Sequence, residues 1–273
     1  MTKQRLVLQP QQLTQIFKNS GFNKNGNWEK FSLTPDQSNY LYKVLRLKAG
    51  AEFTALDGKG GWWRAVLTEV LGQAAIIEQI PINSAFNPNF GSELGIDITL
   101  AIAMPKGNGM ESIIRQATEL GVSNILPLWS DRTVIRPHTP LGTSKLERWV
   151  KIAQEISEQS HRSYIPNIDA PQTFAEAIGK FDHIPISKYI CVTTKPTSHL
   201  LHSLLDLKPL PSKLVIFTGA EGGWTESEIT MAIAHNFIPV SLGNRILAAV
   251  TAPVMALSLV TAVIEYNIAS HQC

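Results

Sequence analysis

At 273 residues the chain is long enough for one large or two smaller domains, each with a real core. Its 24 basic and 22 acidic side chains, a formal net charge of +2, exclude a strongly basic or acidic protein, and two cysteines exclude a disulfide framework or a thiolate zinc site. A reducing cytoplasm is the expected compartment, and the N-terminal stretch has no apolar region of the signal-peptide kind.

The charge is unevenly spread: up to residue 85 there are ten basic residues against six acidic ones, a mildly basic front end of the kind that meets a polyanion. Arg5 to Leu8 reads as a first strand, Ser20 to Asn27 as a loop, and Trp28 to Leu33 as a strand. Thr34 then caps a helix with Pro35 at its first position and Leu41, Val44 and Leu45 on one face, ending near Arg46. A hairpin follows, Glu52 to Leu56 and Trp62 to Leu67, around the turn Asp57-Gly58-Lys59-Gly60-Gly61, and Gln73 to Ile80 is one more strand. Several short strands in about eighty residues point to a small β-barrel. Arg46, Arg64, Trp62 and Trp63 are of the types that contact phosphates and stack on RNA bases, although the tryptophans serve equally as barrel core.

Residues 83–92, rich in Asn, Ser, Pro and Gly, read as a linker, so the expected division is 1–82, a linker at 83–92, and 93–273. Beyond it the pattern changes. Ile96 to Ala103 is a near-continuous apolar strand; Asn108 with Glu111 is placed to cap a helix in which Met110, Ile113, Ile114, Ala117 and Leu120 recur at helical spacing; Ile125 to Leu128 is the next strand. That βαβ unit implies a parallel sheet. Ser144 and Glu147 are placed to cap a helix with Leu146, Trp149, Val150, Ala153 and Ile156 inward, which runs out in the polar stretch Glu155 to Arg162. Thr173 and Glu176 cap another helix, Tyr189 to Thr194 is a strand, and His199 and His202 lack a third metal ligand nearby.

The densest signal runs from Leu214 to Ala252. A buried strand, Leu214 to Phe217, leads into Thr218-Gly219-Ala220-Glu221-Gly222-Gly223-Trp224, after which Thr225 and Glu228 form a capping box. Ile238 to Leu242 is a strand whose Pro239 suits an edge, followed by Gly243-Asn244-Arg245-Ile246-Leu247 and a helix capped by Thr251. Two glycine turns after adjacent parallel strands are where an open α/β sheet binds small ligands. They lack the Walker A and G-x-G-x-x-G spacings, and Glu221 is a poor neighbour for a pyrophosphate. Each also reads as an ordinary strand-to-helix turn. The apolar run Ala252 to Ile264 is too short to span a bilayer and is expected to be a core helix, with no membrane partner.

Taken together, Val44-Leu45-Arg46, Lys106-Gly107, Glu119-Leu120-Gly121-Val122, Arg132, Arg148-Trp149, Gln159-Ser160, Arg162, Gly219-x-Glu221-Gly222-Gly223 and Leu242-Gly243-x-Arg245-Ile246-Leu247 resemble the RsmE-type methyltransferases of the SPOUT class over nearly the whole chain. That family methylates N3 of a uridine in 16S ribosomal RNA. The resemblance implies an α/β protein with an N-terminal PUA-like β-barrel and a C-terminal SPOUT domain, its parallel sheet closed by a deep trefoil knot. It also implies S-adenosyl-L-methionine as cofactor and a homodimer in the cytoplasm, without a metal.

By the same match the cofactor cradle is Thr194, Gly219, Glu221, Gly222, Gly223, Leu242, Gly243, Asn244, Arg245, Ile246 and Leu247. RNA contacts fall to Arg46, Arg64, Lys106 and Arg132, and the reaction to Arg245, Arg162 and Gln159. Ala248, Ala249 and Val250 stand where the family has charged and polar residues, Asn108-Gly109 replaces a more charged pair, and Tyr40 replaces a histidine. These departures keep open a second reading, a non-catalytic RNA-binding relative. A metabolic nucleotide enzyme, suggested by the glycine loops alone, is the remote third.

Overall fold

Hydrophobic cores form around each of two sheets in a computed structural model that describes residues 4–17, 29–80, 93–134, 142–193 and 196–270. By contacts, one unit takes the chain up to Ser92 together with Ser157–Ile165; the other takes Glu93–Ile156 and everything from Pro166. The segment 157–165 therefore packs with the first unit, outside the linear division drawn from the sequence. The expected linker at 83–92 lies outside the described residues, as do Trp28 and the loop Ser20 to Asn27.

The first unit contains β1 (Arg5–Val7), α1 (Pro10–Phe17), β2 (Glu29–Ser32), α2 (Pro35–Ser38), β3 (Glu52–Leu56), β4 (Trp62–Leu67) and β5 (Gln73–Gln79). The strands form a mixed sheet in the order β1-β3-β4-β5-β2, with β1 parallel to β3 and the other pairs antiparallel. Thr34 makes the expected N-cap, and Gln37 completes it as a capping box, the Thr34 hydroxyl accepting from Gln37 N–H at 3.2 Å and Gln37 Oε1 accepting from Thr34 N–H at 2.9 Å.

One expectation fails in this unit, and of the two readings of the tryptophans the core one holds. The helix beyond α2 is π-helical over Asn39–Val44, its last turn closed by Leu45 N–H on Tyr40 C=O at 2.9 Å. The wider turn breaks the 3.6-residue spacing, so Leu41 is fully buried while Val44 is 62% exposed. Trp62 and Trp63 are buried, so neither offers a face to a base: the Arg5 guanidinium lies 4.4 Å from the Trp62 ring, and Phe17 packs on Trp63.

The second unit contains β6 (Asp97–Ala103), α3 (Gly109–Glu119), β7 (Asn124–Trp129), α4 (Thr143–Gln159, its end crossing into the first unit), β8 (Asn167–Ile168), β9 (Gln172–Thr173), α5 (Phe174–Gly179), β10 (Ser187–Cys191), α6 (Leu200–Leu205), β11 (Lys213–Thr218), α7 (Glu226–Ala234), β12 (Ile238–Val240) and α8 (Thr251–Ser270). Its sheet runs β12-β10-β11-β6-β7-β8 with β9 also on β7, and every pair is parallel. The near-continuous apolar strands are those of a sheet covered on both faces. One face is filled by Phe174, Phe217, Trp224 and Phe237, and α8 packs against α3, α6 and β11.

Here too the structure departs from expectation. β11 and β12 are not neighbours; β10 lies between them. Pro239 cannot donate to a ladder, so its strand takes the edge, while β11 is already paired on both sides, by β10 and β6. Asn108 precedes α3 but makes no side-chain cap. Ser144 is inside α4, whose first turn hangs from Gly142 C=O, accepting from Lys145 N–H at 2.8 Å. Val150 is 42% exposed. α8 continues to Ser270, and by length and composition it is apolar enough to cross a membrane; one side of it, Ala256, Leu257, Val260, Val263 and Ile264, is buried in this unit, so it is a one-sided packing helix rather than the core helix expected.

Candidate active site

In a parallel sheet every strand delivers its following loop to the same edge, and five such loops carry most of the second unit's candidate residues. Those after β10 and β12 are laced to each other by backbone bonds. Val192 N–H donates to Val240 C=O at 2.9 Å, Ser241 N–H to Ser198 C=O at 2.8 Å, and Leu200 N–H to Ser241 C=O at 2.9 Å. His199 caps α6, its Nδ1 accepting from Leu201 N–H at 3.2 Å, and lies beside Gly243. The strand expected to reach Thr194 ends at Cys191, and Thr194 itself lies outside the described residues.

The loop after β11 is held from three sides. Glu221 Oε1 accepts from Lys106 N–H at 3.0 Å, tying it to the loop after β6. Arg132, from the loop after β7, donates from its Nη1 to Gly222 C=O at 2.7 Å. Trp224 is buried and donates from Nε1 to Cys191 C=O at 3.0 Å, fastening the loop's end to β10. Gly222 is needed for this arrangement, since a Cβ there would stand 3.0 Å from Arg132 Cβ; Gly223, at φ +67°, opens onto empty space.

Below the loop sits a carboxylate that sequence reasoning treated only as a cap. Glu228 is 4% exposed. It accepts from Thr225 N–H at 2.8 Å and from Asp131 N–H at 3.0 Å, and the Thr225 hydroxyl lies 3.1 Å from an oxygen of both Glu228 and Asp131. The capping box was the signal for Glu228; the reach to Asp131, 97 residues away, had none. Thr218 Oγ1 and Ser130 Oγ, at the ends of β11 and β7, are buried without a hydrogen-bond partner among the described residues.

The loop after β12 is open to solvent over Asn244, Arg245 and Ile246, the last 89% exposed, while Leu242, Gly243 and Leu247 are half-buried. Ala249 is buried, and Val250 packs where a Cβ on Gly109 would stand 3.0 Å from its Cγ1. The second unit thus brings together Lys106, Arg132, Glu221, Gly222 and Gly223 by direct contact, with the 242–247 loop on the same sheet edge. Gln159 and Arg162 belong to the first unit, Gln159 exposed at the end of α4 and Arg162 only 3% exposed. Arg46 and Arg64 are there too. Arg46 is exposed in a left-handed backbone conformation (φ 54°), and Arg64 is engaged by Glu78 at 3.0 Å and Glu52 at 3.6 Å, which reduces its charge toward RNA.

The RNA methyltransferase domain family matches residues 92–261, and the RNA methyltransferase PUA domain family matches residues 33–78. The chain is 41% identical over 262 residues to the ribosomal RNA small subunit methyltransferase E of Synechocystis sp., spanning 96% of this chain and 78% of that one. It is 28% identical to the protein of the same name from Bacillus subtilis, spanning 85% and 89% respectively. Among solved structures it resembles ribosomal RNA small subunit methyltransferase E from Neisseria gonorrhoeae bound to S-adenosyl methionine, with TM-score 0.73 and 27% identity, covering 95% of this chain and 97% of the other.

Proposed function

We propose a specific reaction for this chain, which belongs to the ribosomal RNA small subunit methyltransferase E family: transfer of a methyl group from S-adenosylmethionine to N3 of one uridine in 16S ribosomal RNA. That it is an S-adenosylmethionine-dependent ribosomal RNA methyltransferase follows from the family. The atom and the base are the finer reading. The observation that carries the cofactor part of the reading is the braced glycine loop at the carboxyl edge of the parallel sheet, with the loop after β12 at the same edge.

The residues present fit the cofactor. Gly223 and Gly243 leave backbone groups approachable, while Gly219 and Gly222 let the loop close on Trp224 and Arg132, and the orphaned hydroxyl of Thr218 at the root of the loop offers a buried polar atom to a nucleoside. The cradle is Thr194, Gly219, Glu221 to Gly223 and Leu242 to Leu247. Bound there, S-adenosylmethionine supplies an electrophilic methyl group. The protein's task is to set N3 in line with it, to stabilise the negative charge left when N3 loses its proton, and to exclude water. Arg245, exposed on the loop after β12, is the cation for that charge; Arg162 and Gln159 complete the reading.

Further features belong with this function. The first unit, PUA-like in this reading, holds RNA with Arg46, and Lys106 and Arg132 are RNA contacts of the second unit. The lacing of the loops after β10 and β12, with α8 returning to pack on α3, supports a trefoil knot. The protein works as a cytoplasmic homodimer. The departures at Ala248, Ala249 and Val250 do not carry a non-catalytic reading by themselves: Ala249 is buried and Val250 is half-buried beside Gly109, packed positions, while Ala248 is exposed. Ribosomal RNA from a strain lacking this protein should miss one N3-methyluridine by nuclease digestion and mass spectrometry, and the purified protein should restore it. An unchanged methylation pattern in that strain removes the proposal.

A further inference from the structure

The glycine-rich turn between β3 and β4 does more than reverse the chain. Its outer edge pairs with the segment that follows α4: Gly60 N–H donates to Ser163 C=O at 3.1 Å and Ile165 N–H to Gly58 C=O at 3.0 Å, so Lys59 and Tyr164 face each other as an antiparallel bridge. The glycines are required by that pairing. Both take positive φ, 69° and 93°, and a Cβ on Gly58 would stand 2.5 Å from Ile165 Cδ1, one on Gly60 2.5 Å from the Tyr164 hydroxyl oxygen. Asp57 fixes the turn from within, its Oδ1 accepting from Lys59 N–H and Gly61 N–H, each at 2.7 Å.

Strand β1 grips the same segment further along. Arg5 donates from Nη1 to His161 C=O at 2.8 Å, and Val7 N–H donates to Glu158 Oε1 at 2.8 Å. His161 sits in the left-handed region at φ 65°, and Arg162 N–H donates back to Ser157 C=O at 2.9 Å, so the segment is a bent loop. Between the end of α4 and β8 it belongs to no sheet ladder of the second unit, and by contacts it groups with the first unit.

We propose that the Asp57–Gly61 turn is a positioning element of the methyl-transfer reaction: it holds residues 157–165, which carry Gln159 and Arg162, in one register, and cofactor binding does not depend on it. The inference rests on the reading of Gln159 and Arg162 as reaction residues. Cofactor binding is independent because the bonds that brace the cradle, from Lys106, Arg132 and Trp224, all lie within the second unit. The first unit is then more than an RNA-binding attachment. It sets the shape of a loop the reaction uses.

The test uses the full-length chain with D57A, D57N and G60A. D57A loosens the turn without a steric clash, D57N keeps an acceptor oxygen for both amides, and G60A strains the backbone. Three quantities are read: hydrogen exchange at the amides of residues 60–61 and 162–165, S-adenosylmethionine affinity by calorimetry, and kcat for methyl transfer to unmethylated small ribosomal subunits at saturating cofactor. D57A and G60A should raise exchange in both stretches at least tenfold and lower kcat at least tenfold, with cofactor affinity within twofold of wild type; D57N should recover most of the turnover. Wild-type kcat in D57A and G60A despite faster exchange overturns the proposal, as does a parallel loss of cofactor binding or a D57N no better than D57A. Failure of the wild-type protein to methylate the subunits, or full activity in Q159A and R162A, sinks the functional reading and the proposal with it.

Discussion

Glu221 illustrates how a residue can matter to a ligand through what it does to its own loop. Its carboxylate reaches the Lys106 N–H at 3.0 Å, so it shapes the turn before any ligand arrives. A hydrogen bond to a charged group contributes about 1.5–3 kcal/mol, less at an exposed site. E221A should therefore weaken S-adenosylmethionine binding roughly tenfold by calorimetry, since about 1.4 kcal/mol is a factor of ten. E221Q, which keeps the acceptor, should lose far less, and equal losses in the two variants would put the negative charge, not the loop geometry, in control. Cys191 stands at the other extreme. Burial pushes its thiol up to about 12, so it stays protonated and shielded at neutral pH. Iodoacetamide at pH 8 should leave Cys191 unmodified in the native protein and label it in denaturant, as read by peptide mass spectrometry.

Among the elements, the contact between the turn after α5 and the end of α7 has a pH signature. Asp182 lies 2.8 Å from His235 Nδ1, and that hydrogen bond holds its carboxyl below the ordinary 3.8. A depressed carboxylate adds stability that is complete above its unfolded value and disappears as pH falls through the folded one. The stability gap between wild type and D182N in urea should thus be steady from pH 5 to about 4 and close below that; a gap that widens in acid would contradict the assignment. Elements were legible in the sequence where the information is local: Thr34, Thr173 and Thr225 each make their capping box, and the βαβ unit of β6, α3 and β7 is where hydrophobic spacing puts it. What was not legible is non-local or irregular. The π-helical turn at Asn39–Val44 broke the face assigned to Val44, and Gly142 displaced Ser144 as the start of α4. The interposition of β10 between β11 and β12 is set by pairing across about fifty residues, which no local pattern records. In the site, the glycines were visible, but the reason for Gly222 was not: Arg132 lies against it, 90 residues away.

At the scale of the whole molecule, the C-terminal helix poses a physical question. A helix apolar all round needs cover on every side. α8 has its buried side on α3, α6 and β11, yet Met255 and Leu259 are only half-buried and Ala262 and Tyr266 exposed. These four fall at spacings of four, three and four, one stripe along the helix. Its length would also let it cross a membrane, but a spanning helix faces lipid along its whole circumference or packs against other spans, whereas this one is anchored along one side to a parallel sheet and its helices. The homodimer proposed above needs an apolar interface, and this stripe is the candidate for it. Placing an arginine at Ala262, an exposed position where the isolated fold has room for it, should then cost dimerisation rather than folding. Sedimentation velocity should show wild type at twice the monomer mass and A262R at the monomer mass at the same micromolar concentration, with thermal unfolding of A262R still cooperative. If the cradle is completed by the partner, A262R should also bind S-adenosylmethionine at least tenfold more weakly. A wild-type protein that sediments as a monomer, or an A262R variant that remains dimeric, would move the interface away from α8.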